Sequence, residues 1–153
     1  MEQVTEAEQY QVFINHRGPD TKKNLASLIY HNLSSYGLQV FLDKEELRTG
    51  NTFCPAIRGA ISSASVHIAI FSQNYAESQW CLDELCWMLK SSSVIPVFYD
   101  VEPADLRRID RGPYAQAFDK HRQRVSREVV EGWKEALRKA ADISGLLFKT
   151  KDR

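Results

Sequence analysis

No stretch of this sequence approaches the roughly 20 consecutive apolar residues that a membrane-spanning helix needs, so a bilayer-crossing segment is excluded. The opening Met1-Glu2-Gln3-Val4-Thr5-Glu6-Ala7-Glu8 lacks the basic and then apolar regions of a secretory signal, and residues 1–8 read as a disordered lead-in. Together these absences give the expectation of a cytoplasmic protein with no membrane partner, the nucleus being reachable by passive entry. An excess of charge is also missing: 20 basic side chains face 20 acidic ones, which removes the usual electrostatic case for a nucleic-acid partner. Cysteine is scarce and unpaired. Cys54, Cys81 and Cys86 lack zinc-site spacing and sit in apolar sequence, so reduced thiols are expected, and His16, His31, His67 and His121 are too scattered to suggest a metal.

What the chain does have is enough apolar material, 43% of 153 residues, for one well-buried domain. Its charge is unevenly placed, with 7 basic and 11 acidic residues in 1–100 (net −4) and 13 against 9 in 101–153 (net +4). That asymmetry suits head-to-tail self-association, although most charge runs are solvated faces.

Short β-rich runs alternate with helical stripes. Tyr10 to Asn15 reads as a strand, broken by Arg17-Gly18-Pro19-Asp20-Thr21, with Asp20 or Thr21 as a helix N-cap. Leu25, Leu28, Ile29 and Leu33 form a helical stripe ended by Gly37. Leu38 to Leu42 is a second strand, followed by a polar loop from Asp43 to Thr52 that is long for a strand-to-helix connection. Phe53 to Ala64 suits a helix with Pro55 in its first turn. Val66 to Phe71 is a third strand, in which His67 reads as a satisfied strand residue.

A fourth strand, Ser93 to Tyr99, places Pro96 where one N–H is not needed, and Asp100 to Pro103 reads as a turn. Tyr114, Ala117, Phe118, His121 and Val125 form one helical stripe. Val129, Trp133, Ala136, Leu137 and Ala140 form the last, closed by Gly145. No fifth strand can be placed from the pattern alone.

Between the third and fourth strands, the residues from about Gln79 onward put Leu82, Leu85, Cys86 and Leu89 on one apolar stripe. Glu84 lies off it, yet its helical neighbours Trp80, Cys81, Trp87 and Met88 are apolar too. A carboxylate in such company loses hydration, and its pKa rises unless a cation or hydrogen-bond donors stabilise the charge. The plainer alternative is a solvated surface charge. Alternating strands and helices predict a parallel sheet with helices on both faces, whose ligands gather outside the carboxyl ends of the strands. The Arg17-Gly18 turn, the Asp43–Thr52 loop and the Ser72–Trp80 approach to Glu84 all fall on that rim. Arg17 and Lys22 could serve phosphate at a helix N-terminus there; equally, Arg17 could be solvated and Asp20 or Thr21 merely a cap.

In this order and spacing, the sequence resembles a plant-type TIR (Toll/interleukin-1 receptor) domain over nearly its whole length. The resemblance is carried by Tyr10-Gln11-Val12-Phe13 with Arg17-Gly18 and Asp20-Thr21, by Phe71-Ser72 with Asn74-Tyr75-Ala76, and by Trp80-Cys81-Leu82-Asp83-Glu84-Leu85. It continues through Pro96-Val97-Phe98-Tyr99-Asp100-Val101-Glu102-Pro103 and Ala117-Phe118 to Trp133. Asn15 and His16 depart from it, standing where the family usually has Ser and Phe, and Lys22 replaces an Arg.

The resemblance implies an α/β flavodoxin-like fold, with a parallel sheet of about five strands in the order 2-1-3-4-5, a TIR domain over residues 9–147 and a tail at 148–153. It implies cleavage of NAD+ or NADP+ as substrate, with Glu84 catalytic, Arg17, Gly18, Ser72, Trp80 and Lys22 lining the nucleotide site, and no separate cofactor or metal. It further implies homo-oligomers through helical faces and the Asp43–Thr52 loop, contacts with other TIR proteins, and a role in plant immune or cell-death signalling, in a TIR-only protein or the TIR domain of a receptor. The alternative is a non-catalytic adaptor that acts only by TIR–TIR binding.

Overall fold

The computed structural model describes residues 9–21, 25–42, 55–91 and 93–150. The Asp43–Thr52 loop, Lys22, Phe53 and Cys54 lie outside them, as do residues 1–8 and 151–153. The strands are β1 (Val12–Asn15), β2 (Val40–Leu42), β3 (Val66–Phe71), β4 (Ser93–Tyr99) and β5 (Leu146–Phe148). They form one parallel sheet in the order β2-β1-β3-β4-β5. The helices are α1 (Gly18–Thr21), α2 (Leu25–Ser35), α3 (Pro55–Ser63), α4 (Gln79–Ser91), α5 (Pro103–Arg107), α6 (Ala115–Arg124) and α7 (Arg127–Ala141), with a 3-10 turn at Tyr75–Glu77. No described helix is long and apolar enough to cross a membrane.

Side chains alternate across a strand, so each strand feeds two cores. Phe13, Ala69, Phe71 and Phe98 point to the face covered by α3, α4, α6 and α7, where they meet Ile61, Leu85, Phe118 and Trp133. Val12, Ile14, Ile68, Ile70 and Val97 point the other way, onto Leu25 and Ala26 of α2. Cover on this second face thins toward β4 and β5. Ile95 and Phe148 are partly open there, and Leu146 is more than half exposed.

Several local expectations are corrected. Gly18–Thr21 is already helical, so Asp20 and Thr21 lie inside α1 and not at its N-cap; residues 22–24, between α1 and α2, lie outside the described residues. Leu28 is 59% exposed; Leu25 and Ala26 are the buried residues of α2, because the helix presents its inner face at their azimuth. Likewise Val130, not Val129, is buried in α7. The turn expected at Asp100–Pro103 runs into α5. There Pro103 opens the helix, and the Glu102 N–H donates to the Asp105 carboxylate at 2.9 Å, a capping-box arrangement. Asp100 itself takes a left-handed conformation (φ 60°), and its carboxylate accepts from the Thr150 N–H at 2.9 Å and hydroxyl at 2.7 Å. His67, as expected, is satisfied: its Nε2–H donates to the Ile61 carbonyl at 2.8 Å.

Gly37 does end α2, at φ 90°, with its N–H on the Ser34 carbonyl at 2.9 Å. Gly145 does something different. Helix α7 stops four residues earlier, at Ala141, and Gly145 instead lets the chain enter β5 hard against β4. A Cβ on Gly145 would stand 2.2 Å from the Pro96 carbonyl oxygen and 2.6 Å from its Cγ. Pairing of β4 with β5 begins at Val97, one residue beyond Pro96. Because backbone and a rigid ring occupy that space, Gly145→Ala is expected to cost about 1–3 kcal/mol through overpacking. A lowered urea midpoint would register it, and a midpoint equal to wild type would contradict the close approach.

Candidate active site

Strand β1 ends on Asn15 and β3 on Phe71, in neighbouring register, with Asn15 opposite Ala69. Beyond β3 the chain makes its 3-10 turn and enters α4 through Ser78, whose hydroxyl accepts from the Cys81 N–H at 3.1 Å, an N-cap bond. This delivers the second turn of α4 to the carboxyl end of β1.

Glu84 sits there, 5% exposed. The solvated alternative is excluded. Its Oε1 accepts a hydrogen bond from Asn15 Nδ2 at 2.9 Å. The Asn15 amide, itself fully buried, also approaches the Cys81 carbonyl with Nδ2 at 3.4 Å, and its Oδ1 accepts from the Tyr75 hydroxyl at 2.5 Å. Burial foremost, then the neighbouring Cys81, Tyr114 and Glu84, pushes the Tyr75 phenol well above its ordinary pKa, so it remains a donor. Cys81 and Met88 lie in the core, and the Cys81 thiol donates to the His16 carbonyl at 3.3 Å. Helix α4 thus buries two faces. Trp80, in its first turn, is half-buried. Trp87 has turned to α3, with the Arg58 guanidinium 4.1 Å from its ring centroid and Lys90 on it at 5.3 Å.

The other expected site residues meet around Asp20. The Arg17 guanidinium donates to Asp20 Oδ1 at 3.0 Å and reaches Glu77 at 3.4 Å. The buried Ser72 hydroxyl donates to Asp20 Oδ2, which also accepts the Asn74 N–H at 3.1 Å. The Ser72 carbonyl accepts from the Tyr114 hydroxyl at 2.7 Å. Gly18 is the first residue of α1, directly beside Arg17. The structure therefore gathers Arg17, Gly18 and Ser72 into one cluster, and Glu84 and Trp80 onto one helix end. Lys22 is outside the described residues.

Spacing alone misses three residues here. Asn15 donates to Glu84, Tyr75 donates to Asn15, and Asp20 ties α1 to the β3–α4 connection. A polar Asn closing an otherwise apolar strand was the available signal for the first. For Asp20 the capping pattern pointed to the wrong partners, because Ser72 and Asn74 reach it from 52 and 54 residues away.

A parallel sheet in this order, with an acidic side chain held at the carboxyl end of its first strand, defines the class: an open α/β domain with a ligand edge. The chain belongs to the TIR family, matching the family model for the TIR domain over residues 9–153. It is 36% identical over 143 residues to TMV resistance protein N of Nicotiana glutinosa, covering 89% of this chain and 12% of that one. It is 46% identical over 98 residues to the probable 2' cyclic ADP-D-ribose synthase BdTIR of Brachypodium distachyon, covering 63% and 44%. The chain therefore spans less than half the length of either relative. Among solved structures, the TIR domains of the activated Roq1 resistosome superpose with a TM-score of 0.82 at 37% identity, over 91% of this chain and 87% of that one.

Asp20→Ala removes acceptors for Arg17, Ser72 and Asn74 at once. The expected result is a stability loss of about 1–3 kcal/mol and faster hydrogen exchange at the Asn74 amide. Unchanged exchange there would show that the cluster does not hold the β3–α4 connection.

Proposed function

We propose that this chain cleaves the ribosyl–nicotinamide bond of NAD+ or NADP+ and works in plant immune or cell-death signalling when self-associated in the cytoplasm. The observation that carries this reading is Glu84, a buried carboxylate with a neutral donor on it at the ligand edge of the sheet. The name of BdTIR, a probable 2' cyclic ADP-D-ribose synthase, gives it further support.

The chemistry asks little of the protein beyond charge and position. As the N-glycosidic bond breaks, its electron pair returns to the pyridinium nitrogen and nicotinamide departs neutral, so no general acid is required. Positive charge develops at the ribose C1′ and ring oxygen, and a fixed carboxylate opposite them stabilises it. A water oxygen that attacks C1′ and loses its proton gives ADP-ribose; a hydroxyl of the same molecule in that role gives a cyclic isomer. Trp80 would offer an aromatic face to a base, while Arg17, Gly18, Ser72 and Lys22 are assigned to the phosphate side. Self-association is assigned to the helical faces and the Asp43–Thr52 loop.

A second reading, a non-catalytic adaptor, has one observation in its favour. Arg17 and Ser72 are both committed to Asp20, so two groups assigned to the nucleotide already hold the fold together. One experiment separates the readings. Concentrated wild-type protein incubated with NAD+ is expected to release free nicotinamide, and Glu84→Gln to lose at least about 100-fold of that activity. Gln keeps an oxygen for Asn15 Nδ2, so the unfolding midpoint should hold. Equal turnover in the variant would overturn the catalytic assignment, and no release by wild type would leave the adaptor. Mass spectrometry of the products distinguishes linear from cyclic ADP-ribose.

A further inference from the structure

Asn15 differs from the other polar residues of the ligand edge in how completely its orientation is determined. An amide has one accepting end and two donor hydrogens, and its neighbours decide which end points where. The Tyr75 hydroxyl donates to Oδ1 at 2.5 Å, with the Cys81 carbonyl as a second acceptor within its reach at 3.1 Å. The two groups on the opposite side, Glu84 Oε1 at 2.9 Å and the Cys81 carbonyl at 3.4 Å, are both acceptors and require Nδ2. Turning the amide over would set its oxygen against both of those acceptors and give up the short bond from the tyrosine. Tyrosine, asparagine and glutamate are therefore linked in a single direction, from 3-10 turn to strand to helix.

We propose that Asn15, oriented by Tyr75, is the positioning residue for Glu84: its N–H fixes the carboxylate rotamer and holds the group as an anion without neutralising it. An arginine or lysine in its place would also stabilise the anion but would cancel the charge meant for a cationic ribosyl centre. A neutral donor leaves that charge in place. The inference rests on the reading of Glu84 as the catalytic carboxylate, but the link itself can be measured without turnover.

Among the described residues, the titratable groups on the elements around Glu84 have neighbours of their own. Tyr75 and Cys81 lie inward, with Tyr114 behind Tyr75. The His16 ring, at the exit of β1, is engaged with the Thr21 hydroxyl at 3.0 Å. Cys86 has Asp83, Lys90 and Lys139 as its charged neighbours. Arg58 of α3 lies over Trp87.

The test uses Asn15→Leu, which keeps size and removes the donor without adding a charge, and Tyr75→Phe, which removes the hydroxyl that holds Oδ1 and so loosens the amide. With 13C-labelled glutamate, the Glu84 carboxyl signal, assigned by its loss in Glu84→Gln, is titrated in each protein. Both variants are expected to raise its midpoint by about one unit or more. In turnover, kcat is expected to fall about 10- to 100-fold with KM within about threefold of wild type. Because the ionised form is the active one, the acid limb of the pH–kcat profile should move upward by the same amount as the midpoint.

A purely structural role for Asn15 predicts lower stability with an unmoved acid limb, and that result would overturn the proposal. An unshifted Glu84 midpoint in Tyr75→Phe would overturn it too, and this variant carries the test if Asn15→Leu does not fold. If wild type releases no nicotinamide while the midpoints still shift, the enzymatic reading fails and the link from Asn15 to Glu84 stands.

Discussion

A carboxylate inside a protein keeps its charge only if donors replace the water it has lost. In this TIR domain the replacement at Glu84 includes one side-chain amide, Asn15, which depends in turn on a buried tyrosine hydroxyl. Each of the three residues comes from a different element, so the site exists only while β1, the 3-10 turn and α4 keep their relative positions. The rest of the domain can be understood as what maintains that meeting. The interdigitated core of Phe13, Phe71, Leu82, Leu85 and Met88 sets the height of α4 above the sheet. Ser78 fixes where the helix starts, and hence which of its turns faces Asn15.

A second polar centre, at Asp20, holds the other wall of the same edge. It takes donors from Arg17, just ahead of α1, and from the segment after β3, closing two neighbouring strand exits onto each other. Both centres share a design in which a carboxylate collects donors from distant parts of the chain. They differ in exposure. Asp20 is served partly by a guanidinium and partly by groups at the surface, as suits a structural clamp. Glu84 is met by a neutral donor in the interior.

The two faces of the sheet are unequally covered. One carries four helices and most of the large buried side chains, including Tyr75, Tyr114 and Phe118. The other carries α2, and its apolar surface opens out at Ile95, Leu146 and Phe148, where Tyr99 and Phe148 stack at 5.5 Å. The site lies on the well-covered side, so the positions of Glu84 and its partners are set by the better-packed half of the domain.

Much of this was legible from local pattern. Short β-rich, apolar runs marked β1, β3 and β4, the 3.6-residue stripes marked α2, α4, α6 and α7, and the apolar ring around Glu84 marked it as unusual. These are properties of a residue and its near neighbours, which is what one strand or helix turn can encode. Strand β5 escaped because it has three residues and no buried face to give it a period. The sequence by itself determined which segments would be strand or helix, and that an acidic side chain would lie among apolar ones. Only the tertiary structure decided that Asn15 would donate to Glu84 across 69 positions, that Tyr75 would turn that amide across 60, and that Asp20 would serve Ser72 across 52. Those pairings depend on the order of strands in the sheet, which brings distant chain ends together and which no local spacing contains.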